Sequence, residues 1–197
     1  MPPASSPNDD ISILTFEAPE EFAAWLAANH AASPAVWIKF AKKNSGCVSL
    51  SYEQAVETAL AWGWIDGQSK PFDDKWWLQR FSRRRRRSPW SKINRERAER
   101  LIAAGRFEAP GLEEVKRAKQ DGRWERAYDS PSRATVPDDL AAALQESPSA
   151  AKAFENLDGR NRFAFLYRIQ TAIKPETRAR RIAEAVKMLA RGEKLHP

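Results

Sequence analysis

From Ile11 the chain alternates apolar and polar positions through Ile11-Ser12-Ile13-Leu14-Thr15-Phe16, the period of a strand with one buried face. A helix is expected next, with Pro19 in its first turn and Phe22, Trp25 and Leu26 on one side. Ala35 to Phe40 returns to a period of two, with Val36, Ile38 and Phe40 on alternate positions from Trp37 and Lys39. Lys42 to Gly46 makes a loop, and Ser51 with Gln54 is a capping-box pair that predicts a helix to about Leu60 or Trp62. Gly63 stops that helix. Trp64 to Gln68 and Lys75 to Phe81 then read as paired strands, joined through the turn-rich Pro71-Phe72-Asp73-Asp74.

From Ser88 onward the pattern is helical. Ser91 is placed to cap a helix carrying Ile93, Leu101 and Ile102, with Gly105 beyond its end, and Leu112 to Lys119 predicts a shorter one. Asp129-Ser130-Pro131-Ser132-Arg133 interrupts the pattern. Helices follow over Pro137 to Gln145, over Pro148 to Leu157 with Ser147 as cap, from Asp158 with Phe163, Leu166, Tyr167 and Ile169 as core, and from Pro175 to Gly192. The last has Ile182, Val186 and Leu189 on one face. This order predicts an α+β fold, a small sheet with packed helices followed by a C-terminal helical module. The expected division is a disordered tail over 1–10, an α+β domain over 11–128 with a basic loop at 82–95, a linker over 129–135 and a helical module over 136–194.

Several function classes drop out. No glycine-rich phosphate turn follows a strand, which argues against a Rossmann unit. No apolar stretch approaches the roughly 20 residues that span a bilayer, and MPPASSPNDD lacks the charged and apolar segments of a secretory signal. The single cysteine, Cys47, rules out an internal disulfide framework and a multi-thiolate zinc site, and it fits a reducing, cytoplasmic setting. The only histidines, His30 and His196, form no cluster with it. No catalytic residue, metal site or cofactor is predicted. The eight tryptophans are expected to serve mostly in packing.

The net charge of +7 is unevenly distributed. Residues 80–106 hold 11 basic and 2 acidic side chains, whereas residues 1–79 hold 5 basic and 10 acidic. The centre of the basic window is the unbroken run Arg83, Arg84, Arg85, Arg86 and Arg87, followed by Trp90, Ser91, Lys92 and Asn94, with Arg106 at its end. Guanidinium forks, a hydroxyl, a helix start and an indole are the chemistry of phosphate or single-strand binding. The same run is also compatible with a solvated loop, or with arginines paired to the acidic first third. Arg178 and Arg181 mark a secondary basic surface near the C-terminus. A second candidate is a cleft with Trp62 and Trp64 as walls and Asp66 as its acid, set against a reading of Asp66-Gly67 as a turn.

Several of these segments together resemble a known family. They are Trp62-Gly63-Trp64-Ile65-Asp66-Gly67, Arg80-Phe81 before the basic run, Ser88-Pro89-Trp90-Ser91-Lys92-Ile93-Asn94, Gly105-Arg106-Phe107 with Pro110-Gly111, and Gly122-Arg123-Trp124 with Ala127-Tyr128. Ile173-Lys174-Pro175-Glu176-Thr177-Arg178 with Arg181-Ile182 completes the set. The chain resembles the bacteriocin-protection, or YdeI/OmpD-associated, family over roughly residues 35–192. The family pattern has a Pro-Arg step where this chain has Ser82-Arg83, and a shorter basic run. The resemblance implies a bacterial setting in stress or antimicrobial-peptide protection, and no catalytic residue.

The expected function is therefore non-catalytic binding of a polyanion (DNA, RNA or an anionic surface) through the arginine-rich segment. Two alternatives stand beside it: a protein–protein adaptor docking through the C-terminal helices, and an enzyme using Asp66 in its tryptophan-walled cleft.

Overall fold

The computed structural model describes residues 11–197, so the tail expected over residues 1–10 lies outside the described residues. Contacts divide the chain into two units. One takes in the chain up to Ser88 together with Asn94–Trp124, and the other takes in Pro89–Ile93 together with Glu125–Pro197.

The first unit is built on a four-stranded sheet. Its strands are β1 (Ile13–Leu14), β2 (Ala35–Ala41), β3 (Trp64–Pro71) and β4 (Trp76–Arg83), in the order β1-β2-β4-β3. β1 runs parallel to β2, and the other two pairings are antiparallel. β1 is shorter than the alternation of residues 11–16 suggests. Phe16 leaves the strand for the core, where its carbonyl accepts the Leu50 N–H at 2.9 Å. Between the strands lie α1 (Pro19–Asn29) and α2 (Tyr52–Ala61). The capping box of α2 forms as its sequence dictates: Ser51 Oγ accepts from Gln54 N, and Gln54 Oε1 accepts from Ser51 N. Such a cap is worth about 1 kcal/mol.

The inner face of the sheet carries Val36, Ile38, Phe40, Trp64 and Phe81, which share one core with Phe22 and Leu26 of α1. Edge-to-face packing of Phe22 on Phe81 and of Trp25 on Trp64 ties α1 to the strands. The outer face is different. Cross-strand register sets Trp37 opposite Arg80, Lys39 opposite Leu78, and Lys70 opposite Leu78 on the other side. Lys70 Nζ lies 4.5 Å from the Trp37 ring centre, and Lys39 Nζ lies 4.5 Å from Phe72 and 4.9 Å from Trp76. Leu78, in register with both lysines, is buried on this face.

α3 (Lys92–Ala103) and α4 (Ala109–Gln120) complete the helices of this region. α4 begins three residues before the expected Leu112. Pro110 sits in its first turn, where a missing N–H costs nothing, so the Pro-Gly pair opens the helix instead of breaking it. Gly111 is there for space: a Cβ would stand 2.1 Å from Ala61 O, the last residue of α2. Gly63 follows with a φ of +73°, and a Cβ there would meet Pro110 O at 3.0 Å. The Trp-Gly-Trp and Pro-Gly segments are thus the two sides of one close backbone approach.

The second unit holds α5 (Asp138–Gln145), α6 (Pro148–Glu155), α7 (Gly159–Gln170) and α8 (Pro175–Ala190). Its core joins Leu140, Leu144, Phe154, Phe165, Leu166, Ile169, Ile182 and Leu189. Phe165, rather than the expected Phe163, faces this core. Phe163 and Tyr167 are half-buried and pack on each other, and Tyr167 meets Tyr128 edge-on. Ser147 occupies the N-cap position of α6 without a side-chain cap bond, whereas Asp158 caps α7 through Asn161 N at 2.8 Å. Asn161 is itself buried and fully used. Its amide donates to Asp158 and to His196 O, and its carbonyl accepts the N–H groups of Leu195 and His196. No helix among the described residues is long and apolar enough to cross a membrane.

Candidate functional site

The arginine run leaves the sheet at the end of β4 and folds into a pinned turn. Arg83 Nη1 donates to Ala31 O at 2.9 Å, and Arg84 N donates to Gly63 O at 3.0 Å. Ser88 N donates to Arg85 O at 2.9 Å, while Arg85 N donates to Ser88 Oγ at 3.0 Å, closing a tight Arg85–Ser88 turn. Ser88 O then accepts from Arg123 Nη1 at 2.8 Å, so the turn is held at both ends. Arg85, Arg86 and Arg87 are exposed on it, and none forms an ion pair among the described residues.

Arg84 departs from the expected exposed set. It is 5% exposed, and its charge acts on Glu114, which is also buried. Burial pushes the Glu114 carboxyl up from its ordinary range, opposed by the positive charges of Arg117, Arg84 and Arg123 and by a hydrogen bond from Arg117. Arg84 is therefore a buried charge acting within the fold and not one of the displayed arginines. Beside it lies a cavity of about 280 Å³ lined by Pro34, Arg80, Ser82, Arg83, Arg84 and Arg85. Four arginines and one serine among the residues lining such a space make it an electropositive recess. Among the described residues no carboxylate lines the recess itself, and Arg80, Arg83 and Arg85 are the lining arginines not buried against Glu114.

The downstream half of the predicted site does not join this recess. Trp90 is 1% exposed and packs within the fold, so its ring is not presented for stacking. Ser91 is buried and bridges to Tyr128 through the main chain, with Tyr128 N donating to Trp90 O and Lys92 N donating to Tyr128 O. Lys92 pairs with Asp129 at 2.7 Å. Burial opposes ionisation of that carboxyl, but hydrogen bonds from Lys92 and Gln170 hold it below the ordinary range. Asn94 is buried and accepts from Arg97. Arg106 is exposed but lines a different cavity, of about 340 Å³, whose walls include Glu20, Glu57, Glu108 and Trp62.

The tryptophan-walled cleft is not assembled either. Trp62 packs against His30 and lines the cavity of Arg106, which neither Trp64 nor Asp66 bounds. Trp64 is in the core, and Asp66 accepts a 2.7 Å hydrogen bond from the Tyr52 hydroxyl. Burial and that bond push the Tyr52 hydroxyl well above its ordinary range, keeping it a proton donor. In the second unit, Arg178 grips Asp139 through two hydrogen bonds of 2.6 and 2.8 Å and also reaches Ile169 O. Arg181 donates to Arg168 O and to Thr171 Oγ1. Both are engaged within the fold. Beside them, α5 and α8 border a largely apolar groove of about 710 Å³, lined by Ala143, Ile182 and Val186 among others and edged by the Asp139–Arg178 pair. Among the described residues no cluster of three His, Cys, Asp or Glu could hold a metal ion.

Arg80 falls within the basic window of the sequence but outside the expected site residues, and Pro34 and the outer-face aromatics are neighbours of the recess that the sequence reading overlooked. The available signal was the placing of Trp37 and Lys39 opposite the apolar positions of β2.

Comparison with known proteins divides the chain in a similar way. Residues 133–192 match the family model described as bacteriocin-protection, YdeI or OmpD-associated. Residues 14–114 match a different one, described as a domain of unknown function (DUF8412). The first match is narrower than the span of roughly 35–192 over which the motifs suggest the resemblance. No curated protein and no solved structure matches the chain.

Proposed function

The chain belongs to the bacteriocin-protection, YdeI/OmpD-associated family by its C-terminal helices and to a domain family of unknown function by its sheet-bearing part, and from that premise we propose that it is a non-catalytic polyanion-binding protein. The binding surface is the pinned turn carrying Arg83, Arg85, Arg86 and Arg87 and the recess beside it. The setting is bacterial stress or antimicrobial-peptide protection in the cytoplasm. One observation carries this reading: three consecutive exposed arginines without ion pairs among the described residues, beside a recess whose lining residues include Arg80, Arg83 and Arg85. Like charges held this close repel one another in the free protein, and a polyanion relieves that repulsion while releasing its own counterions.

The test is binding of heparin and of DNA across a salt series, with Arg85, Arg86 and Arg87 replaced together by Ala as control. On duplex DNA the logarithm of affinity is expected to fall with the logarithm of salt at about 0.9 per neutralised phosphate. The triple variant should lose most of that slope. Absence of binding by the unaltered protein at low salt would sink the reading. The adaptor alternative has one observation in its favour, the apolar groove between α5 and α8. Its check is a partner retained by the unaltered protein and lost in Val186→Arg.

A further inference from the structure

We propose that the polyanion is single-stranded nucleic acid, and that its bases stack on the outer face of the sheet while a phosphate sits in the arginine-lined recess. This rests on the polyanion reading above and narrows it to one class of ligand.

The argument begins with β4. Residues of one strand that face the same way are two apart, so Trp76, Leu78, Arg80 and Ser82 form one outer row. The row starts beside the exposed Phe72, and its last two members, Arg80 and Ser82, line the recess. Leu78 within it is buried, so its reachable members are Trp76 at the aromatic end and Arg80 and Ser82 at the anion-binding end. At about 3.3 Å per residue the row spans about 20 Å, room for several nucleotides of an extended strand.

The chemistry along it alternates. Phe72 and Trp76 offer rings, Lys39 and Lys70 lie over rings as cations, and Arg80 leads into the recess. Arg80 Nε is buried without a hydrogen-bond partner, so this guanidinium is not fully used by the fold. A lysine resting on an aromatic ring is a replaceable occupant, because a base can take the ring face while the ammonium moves to the adjacent phosphate. Phe72 is the ring best placed for this exchange: it is 46% exposed, lies at the tip of the β3–β4 hairpin, and has Lys39 over it. A duplex keeps its bases stacked on one another and offers this face only backbone. The aromatic row therefore discriminates between strands in a way that the arginines do not.

The experiment is fluorescence anisotropy of the full chain with labelled dT12, labelled rU12, a 12-base-pair duplex and heparin at low salt. The proteins are the unaltered chain, Phe72→Ala, Phe72→Tyr and the triple Ala variant at Arg85, Arg86 and Arg87. The unaltered chain should hold the single strands at least tenfold tighter than the duplex. Phe72→Ala should lower single-strand affinity about tenfold, the scale of one lost base–aromatic stack, and leave duplex and heparin binding unchanged. Phe72→Tyr should restore it, since tyrosine keeps the ring. The triple variant should weaken all four ligands. Equal single-strand affinity in Phe72→Ala, or preference of the unaltered chain for duplex, would overturn the single-strand proposal and leave the arginine reading standing. Failure of the unaltered chain to bind any of the four would overturn both.

Discussion

Two arginine-rich segments of this protein carry similar charge and have opposite fates. In the helical unit, Arg178 is committed to Asp139 and Ile169 O, and Arg181 to Arg168 O and Thr171. In the sheet-bearing unit, the exposed side chains of Arg85, Arg86 and Arg87 form no ion pairs among the described residues, while the turn that carries them is closed by two hydrogen bonds between Arg85 and Ser88. The first arrangement uses guanidinium groups as cross-links between helices. The second uses backbone to hold guanidinium groups toward solvent. Charge count alone does not tell them apart; the presence of acceptors within reach, the Asp139 carboxylate for Arg178 and a carbonyl and hydroxyl for Arg181, does.

The largest expected effect that tests this contrast is on binding. Replacing Arg85, Arg86 and Arg87 by Ala should weaken heparin binding by about a hundredfold near 0.1 M salt while leaving thermal stability within about 0.5 kcal/mol. Replacing Arg178 and Arg181 should leave heparin affinity nearly unchanged. If the second pair of changes removed binding and the first did not, the comparison would be inverted. Calorimetric titration beside a melting curve reads both quantities.

Next in size is stability. Arg178→Ala should destabilise the protein by about 1 kcal/mol, a figure held low because both partners are partly exposed and solvent screens them. A double-mutant cycle with Asp139→Asn isolates the pair. A cycle energy near zero would show that Arg178 acts mainly through Ile169 O.

The pH dependence follows from the same pair. The hydrogen bond from Arg178 holds the Asp139 carboxyl below its ordinary range. Its folded pKa is therefore below its unfolded one, so the contribution is complete above the unfolded value of about 3.9 and is lost as pH falls through the depressed folded value. Arg178→Ala should flatten the acid limb of the stability curve, whereas the triple variant of the turn should leave that limb unaltered. Urea titrations at a series of acidic pH values distinguish them. The smallest effect concerns lysine as a substitute. Arg85→Lys keeps the charge and should change heparin affinity by no more than about twofold, whereas Arg178→Lys loses the planar fork and should still cost a few tenths of a kcal/mol, roughly.

Much of the architecture was legible because it is local. The capping box of α2, the alternation of β2, the stop at Gly63 and the α8 face of Ile182 and Leu189 each rest on residues within one turn or one strand. What was not legible depends on partners far along the chain. Arg84 reads like its neighbours until Glu114 is placed near it, and Trp90 reads like a stacking indole until it is buried. The expected start of α4 at Leu112 falls short of Ala109 because the reason for Gly111, the carbonyl of Ala61, lies 50 residues earlier in the chain. Phe163 and Phe165 are separated only by which side of α7 faces Ile182, and spacing within one helix does not set that angle. The outer-face rows required strand register, since Lys70 reaches Trp37 across an intervening strand.

The turn that displays Arg85, Arg86 and Arg87 is anchored at Gly63 O and again through Ser88 O to Arg123, with two hydrogen bonds closing its middle. A free loop would surrender about 1–2 kcal/mol of backbone entropy for each residue ordered on capture of a ligand. Here that ordering has already happened during folding. Association at the turn should therefore be fast, with a heat-capacity change much smaller than coupled folding would produce. Its driving force should come from the ions set free, so warming or cooling would alter affinity far less than dilution of the buffer.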